Sequence, residues 1–244
     1  MRNFREKLDA FYAKYPIGLW GLIGVGGFVF LGLLICQIGA TDGRGCTFEW
    51  INHAISELGF VGVSWGWWLF SLCLIIGGIL GIVYILGLGL YFEGKHAGRL
   101  AKLATIGGII SCIGMIGVGL FPGNINPFGH RISAAMFFLF AMSTPFIFSI
   151  AIFVQDSGEG RQKIPRWTGI FGFFVVFTVV MFLSTGVAEL ERILSFGNNP
   201  STTCRTGIIW VWFWEWMVYF VVSGWLILFA VLTCKKNTKK ILNN

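Results

Sequence analysis

GWWLFSLCLIIGGILGIVYILGLGLYF, residues 66–92, contains no charged side chain in 27 consecutive positions. A helix needs about 20 apolar residues to cross the hydrocarbon core of a membrane. The stretch also contains Gly77 and Gly81, and small residues at this spacing allow membrane helices to pack closely. Residues 66–92 therefore predict a transmembrane helix that packs against other helices.

Five further apolar runs of similar length occupy most of the remaining chain: 17–39, 103–121, 132–154, 167–187 and 207–233. The chain is 56% hydrophobic and only 12% charged, whereas about a quarter of the residues in soluble domains are charged. We therefore predict an all-α fold, a polytopic membrane bundle of six transmembrane helices that forms one domain over residues 1–244.

The first 16 residues have a different pattern from the spans. Apolar and aromatic residues from Phe4 to Tyr15 recur at helical spacing among basic ones. Such a pattern is typical of an amphipathic helix that lies in the membrane interface. We predict an interfacial helix over residues 1–16, ahead of the first span.

The distribution of Lys and Arg predicts the orientation of the bundle. With six spans, 14 of these residues fall on the side of the two termini and four fall on the other side. Positive residues near span ends are retained in the cytoplasm. We predict that both termini are cytoplasmic in a multi-pass protein of the cell membrane, with membrane lipids as partners. The net charge of +7 is explained by this topology, so we predict no nucleic-acid partner.

Two of the six cysteines fall in outward loops, Cys46 in the first and Cys204 in the last. An oxidising compartment favours disulfides, and a bond between these two residues would tie the first outward loop to the last. We treat the pair as a candidate disulfide.

The first outward loop carries a short polar segment over residues 47–59. Thr47 is a suitable helix cap and Gly59 a suitable stop, so we expect a short extra helix here. In a helix, His53 and Glu57 would be neighbours four residues apart, with Ser56 beside them.

Other polar residues are predicted at the same side of the membrane. His130 and Arg131 begin the fourth span, and Glu191 and Arg192 follow the fifth. Glu215 lies within the sixth span, where a carboxyl is costly unless it is paired, protonated or wetted. The candidate ligand-binding set is His53, Ser56, Glu57, His130, Arg131, Glu191, Arg192 and Glu215.

These residue types allow several kinds of site. They fit a buried ion-pair network that fastens the loops, or a site for a ligand or proton. Ser56 and His130 with a glutamate would also fit a hydrolytic triad, so the pattern does not decide whether the protein is an enzyme. Paired metal-ligand spacings such as His-x-x-x-His do not occur, and we predict neither a metal site nor a cofactor.

Three short motifs resemble those of a known family. They are Ile55-Ser-Glu-Leu-Gly59, Gly119-Leu-Phe-Pro122 followed by His130, and Glu191-Arg192. In this order on six spans they resemble the domain-of-unknown-function 998 family of membrane proteins. More distantly, the Ile-Ser pair is similar to a motif of the Frag/DRAM/Sfk group, which is linked to lipid or GPI-anchor handling. The resemblance implies a six-span fold with important outward segments, without naming a substrate.

The favoured function is an outward-facing polar site that binds or processes a lipid or small amphiphile. In this hypothesis the polar set binds the head group and the bundle takes the tail. The alternatives are a proton- or ion-coupled transporter in which Glu215 relays charge, and a non-enzymatic membrane scaffold in which the polar set is only a latch.

Overall fold

The computed structural model describes residues 2–42, 45–92, 96–155, 164–189, 205 and 207–242. These residues are mostly helical. The helices are α1 (Arg2–Lys14), α2 (Ile17–Gln37), α3 (Trp67–Leu90), α4 (Ala97–Leu120), α5 (Pro127–Phe153), α6 (Trp167–Ala188) and α7 (Trp210–Leu242). Six of them, α2 to α7, contain segments long and apolar enough to cross a membrane. The prediction of an all-α, six-span membrane protein is confirmed.

Helix ends differ from the apolar runs by a few residues. α4 begins at Ala97, six residues before the predicted span. α5 begins at Pro127 rather than at residue 132, because the side chain of Asn126 accepts a hydrogen bond of 3.0 Å from the amide of Gly129 and caps the helix. Proline is well suited to the first helical position. Both helices therefore begin in polar segments that precede the apolar runs of the sequence.

The six spans form a closed ring. Each packs against its neighbours in sequence, from α2 on α3 to α6 on α7, and α7 returns to pack against α2. The middle of α2, Leu22–Leu31, is wound as a π-helix. The connections from α3 to α4 and from α4 to α5 are only six residues long, and helices joined by such short connections run antiparallel. The even number of spans brings the ends of the ring to the same side.

Large aromatic side chains fill the interior of the ring. Tyr84, Phe148 and Trp225 are almost completely buried. The hydroxyl of Tyr84 donates to the carbonyl oxygen of Leu226 at 2.9 Å, so α3 and α7 are joined by a hydrogen bond as well as by apolar contact. A buried hydroxyl without such a partner would destabilise the bundle.

Glycine allows α4 and α5 to approach closely. A Cβ atom added to Gly114 would lie 2.6 Å from the backbone nitrogen of Phe137 and 2.8 Å from the carbonyl oxygen of Ser133. Both obstacles are backbone atoms, which cannot rotate away. This is the small-residue packing that membrane helices use.

The helix predicted over residues 47–59 is wrong in its first part. Thr47 forms an isolated antiparallel bridge with Thr41, and helical structure is confined to a 3-10 helix, Ile55–Gly59. The backbone uses distant partners: the amide of Phe48 donates to Ala40 at 3.0 Å, and the amide of Ile209 donates to the carbonyl of Ile51 at 2.9 Å. These bonds occupy groups that a helix would need.

Candidate functional site

His53 is buried within the first outward loop and anchors it. Its side chain is 1% exposed, stacks on Phe48 with ring centroids 4.7 Å apart, and places Nε2 3.5 Å from an oxygen of Asp42. Its carbonyl oxygen accepts a hydrogen bond of 3.1 Å from the indole of Trp216 in α7. His53 is thus enclosed by protein on all these sides, which is an environment for a structural residue.

Glu57 is held by an arginine that the sequence did not single out. One terminal nitrogen of Arg205 donates to both carboxylate oxygens of Glu57 at 2.8 Å. The guanidinium carbon of Arg205 also lies 4.6 Å from the ring centroid of Trp212. Arg205 therefore joins the first outward loop to the start of α7, and Glu57 has a charge partner.

Two further contacts fix the outer end of α7. A carboxylate oxygen of Glu189, just after α6, accepts a hydrogen bond of 2.9 Å from the amide of Val211. Amides in the first turn of a helix have no partner within the helix. In addition, Ala54 packs in a small apolar cluster with Ile209, Val211 and Trp212. The loop and α6 thereby hold α7 in place.

A groove lies between the first part of α5, the last part of α6 and the first part of α7. Its volume is about 500 Å³, within the range of about 300–1,000 Å³ typical of small-molecule sites. Four of the sequence-predicted residues line it: Ser56, His130, Arg131 and Glu215. The rest of its wall is predominantly apolar: Ala134, Ala135, Phe138, Leu139, Met142, Val179, Phe182, Leu183, Val211 and Trp212.

The ring of His130 has a defined orientation. Its Nδ1 lies 2.9 Å from the carbonyl oxygen of Phe121. A carbonyl oxygen can only accept, so Nδ1 carries the proton in this bond. In the neutral ring, Nε2 is then left as a hydrogen-bond acceptor. His130 therefore offers an acceptor at the edge of the groove.

Glu215 is the most deeply placed polar residue of the groove. It is the sixth residue of α7 and is 7% exposed. The backbone amide of Ile55 and the carboxylate of Glu57 are both close enough to influence it electrostatically. Across the part of the chain that the structure describes, no side chain forms a salt bridge with Glu215. A buried carboxylate in this position favours a cationic or hydrogen-bond-donating partner.

The groove shares part of its lining with a smaller cavity inside the ring. Ser56, His130 and Glu215 also line this cavity of about 70 Å³, together with Tyr219, one turn after Glu215 on α7. Tyr219 in turn lines a third, predominantly apolar cavity at the centre of the bundle. The polar residues therefore stand between the outer groove and an apolar interior.

The structure brings together only part of the predicted set. Ser56, His130, Arg131 and Glu215 share the groove, whereas His53 and Glu57 are absent from its lining and take separate partners. The expectation that His53 and Glu57 pair as helical neighbours is therefore wrong. Glu191, Arg192 and Cys204 lie outside the described residues. Cys46 is disulfide-bonded, and its pairing with Cys204 stays a prediction.

Asp42 and Arg205 are the residues of this region that sequence reasoning missed as partners. Both stand in outward loops close to predicted polar residues in space but not in sequence. One signal in the sequence could have identified Arg205: it is one of only four Lys and Arg residues on the predicted outward side. An isolated arginine on a side poor in positive charge is a reasonable candidate for an ion pair.

Comparison with known proteins identifies the family. The sequence model of a family described as Protein of unknown function (DUF998) matches residues 24–232, which include all six spans almost completely. The chain belongs to this family. Searches of curated proteins and of solved structures found no match.

Proposed function

We propose that this member of the DUF998 family binds a membrane lipid or similar amphiphile in the groove between α5, α6 and α7. One observation carries the proposal: a single groove combines a cluster of polar side chains at one end with a long apolar wall. An amphiphile has the same division between head group and tail.

The polar end of the groove contains one basic and one acidic side chain. Arg131 is exposed and forms no salt bridge among the described residues, whereas Glu215 is buried. Arginine is well suited to a phosphate or carboxylate because its donors form a planar fork. Ser56 and His130 add further hydrogen-bonding groups. This combination supports recognition of a polar head group.

The apolar end opens at the surface of the bundle. Leu139 on α5 and Leu183 on α6 line the groove and are 57% and 53% exposed. On a spanning helix, such side chains face lipid tails. An acyl chain could therefore lie along this wall while its head group remains in the groove, without leaving the membrane.

Filling the groove tests the proposal. Ala135 lines the groove and is exposed, so Ala135→Phe adds a large side chain to its floor. The matched control is Gly224→Phe on α7, where an added Cβ meets nothing within 4 Å. Native mass spectrometry of each purified variant would count the lipids that remain bound.

We expect the wild-type protein and Gly224→Phe to retain lipid, and Ala135→Phe to lose most of it. Equal retention by all three proteins would overturn the proposal and favour a scaffold without a lipid site. Thermal unfolding of Ala135→Phe would accompany the measurement, so that loss of lipid is interpreted only for a folded protein.

A further inference from the structure

We propose that the head group bound in the groove is zwitterionic, with a primary amine and a phosphate, as in phosphatidylethanolamine. The inference rests on the proposed function and names its ligand class. It follows from the number and type of hydrogen-bonding groups that the groove presents.

The inner side of the groove presents acceptors. Glu215 contributes a carboxylate, Ser56 contributes a hydroxyl oxygen, and His130 contributes Nε2, because its Nδ1 proton is already donated to Phe121. A primary ammonium group has three N–H donors. The three acceptors belong to the loop between α2 and α3, to α5 and to α7. One primary ammonium group therefore has as many N–H donors as these residues have acceptors.

Glu215 determines the charge of the preferred ligand. Its carboxylate is more than nine-tenths buried and has no cationic side chain bound to it among the described residues. Glu57 cannot supply a positive charge to Glu215, because it is also acidic and is already bound to Arg205. An ammonium ion in the groove would supply a positive charge, and pairing with such a charge is one way in which a buried carboxylate is stabilised.

Arg131 determines the other half of the ligand. It begins the groove on α5, one residue after His130, and its guanidinium matches the oxygens of a phosphate. In an ethanolamine head group only two carbons separate the phosphate from the amine. Arg131 and Glu215 line the same groove, so we place the phosphate of a short zwitterion at Arg131 and its amine at Glu215.

The proposed pose assigns each part of the lipid to a different part of the groove. The tail would lie on the exposed wall of Leu139 and Leu183, the phosphate at Arg131, and the terminal amine at Glu215. The lipid would thus enter from the side of the bundle with its amine pointing inward. A choline head group carries a cation without N–H donors, so it cannot form the same hydrogen bonds.

The first experiment uses the wild-type protein with no substitution. The protein is exchanged into bilayer discs that contain equal amounts of phosphatidylethanolamine, its N-methyl and N,N-dimethyl derivatives, and phosphatidylcholine. Native mass spectrometry then measures which lipids remain bound. We expect retention to fall with each methyl group, to a total of at least about tenfold, since charge-assisted hydrogen bonds are strong.

Two variants assign the preference to its residues. Glu215→Gln keeps the shape of the side chain and removes its charge, and we expect the ratio of ethanolamine to choline lipid to fall to about one. Arg131→Gln is expected to reduce retention of both lipids by about tenfold. Arg166→Gln is the matched control, since Arg166 is an exposed arginine at the opposite end of α6, and it should behave as the wild type.

Failure of this inference can be distinguished from failure of the proposed function. Equal retention of all four lipids, with loss of all of them in Ala135→Phe, would overturn the choice of head group and leave the groove as a lipid site. A preference for ethanolamine lipid that persists in Glu215→Gln would also overturn it. Lipid retention that is unchanged in both Ala135→Phe and Arg131→Gln would overturn both proposals.

Discussion

Glu57 and Glu215 are carboxylates at the same end of the bundle, but only Glu57 has a cationic partner among the described residues. The Glu57–Arg205 pair is mostly buried, with side-chain exposures of 14% and 16%. Its role is to fasten the first outward loop to α7. Glu215 has no comparable structural partner, and this difference is why we assign it to ligand binding.

Arg205→Ala is predicted to destabilise the protein. It leaves Glu57 without its partner and removes the contact with Trp212, so we expect a loss of roughly 1.5–3 kcal/mol in the free energy of unfolding. Thermal unfolding in detergent would measure the effect, with Arg166→Ala as the control for removal of an exposed arginine. An unchanged melting temperature for Arg205→Ala would contradict the assigned role of the pair.

His53→Ala is predicted to lower stability and to leave the choice of lipid unchanged. The substitution removes a buried ring that stacks on Phe48 and contacts Asp42, at an expected loss of about 2–4 kcal/mol. The melting temperature would be measured first, and lipid retention would then be measured on the same preparation at a lower temperature, where the protein is folded. A changed head-group preference without a change in stability would show that His53 belongs to the site.

Residue types could be selected from the sequence, but their partners could not. Glu215 was identified because ionisable residues are rare within apolar spans, and His130 and Arg131 because they begin the fourth span on the same predicted side of the membrane. Arg205 was not identified as the partner of Glu57, because the two residues are 148 positions apart. The first and last outward loops meet only in the folded ring. A contact between segments so far apart in the chain cannot be predicted from local sequence patterns.

At the scale of elements, span existence was predictable and span ends were less so. Apolar runs report the part of a helix that lies in hydrocarbon, whereas α7 continues to Leu242, beyond the apolar run. The 47–59 helix failed for another reason. Its caps were suitable, but backbone bonds to Ala40 and Ile209 compete with helical ones. Tertiary contacts therefore override local propensity in this loop.

Two glycine substitutions are predicted to act in opposite directions. Gly114→Ala forces a Cβ atom against the backbone of α5, so we expect a destabilisation of about 1–3 kcal/mol. Gly224→Ala adds a methyl group where nothing lies within 4 Å, and the greater helix propensity of alanine should stabilise α7 by up to about 1 kcal/mol. Thermal unfolding of both variants checks the packing of α4 on α5. Equal effects would contradict it.

At the scale of the whole molecule, Cys46 is disulfide-bonded, and Cys204 is its predicted partner. We predict that Cys46→Ser and Cys204→Ser each lower stability by about 2–4 kcal/mol, and that the double variant loses no more than either alone. Additive losses would contradict the pairing.

In the proposed function, lipid is held in one groove rather than spread evenly around the ring. A phosphatidylethanolamine with a photoreactive group on its tail would be crosslinked to the protein in bilayer discs, and the modified peptides would be mapped by mass spectrometry. We predict labelling concentrated on the groove walls, residues 134–142 of α5 and 179–183 of α6, and suppressed by Ala135→Phe. Labelling distributed equally over all bilayer-facing helices, unchanged in that variant, would contradict the account.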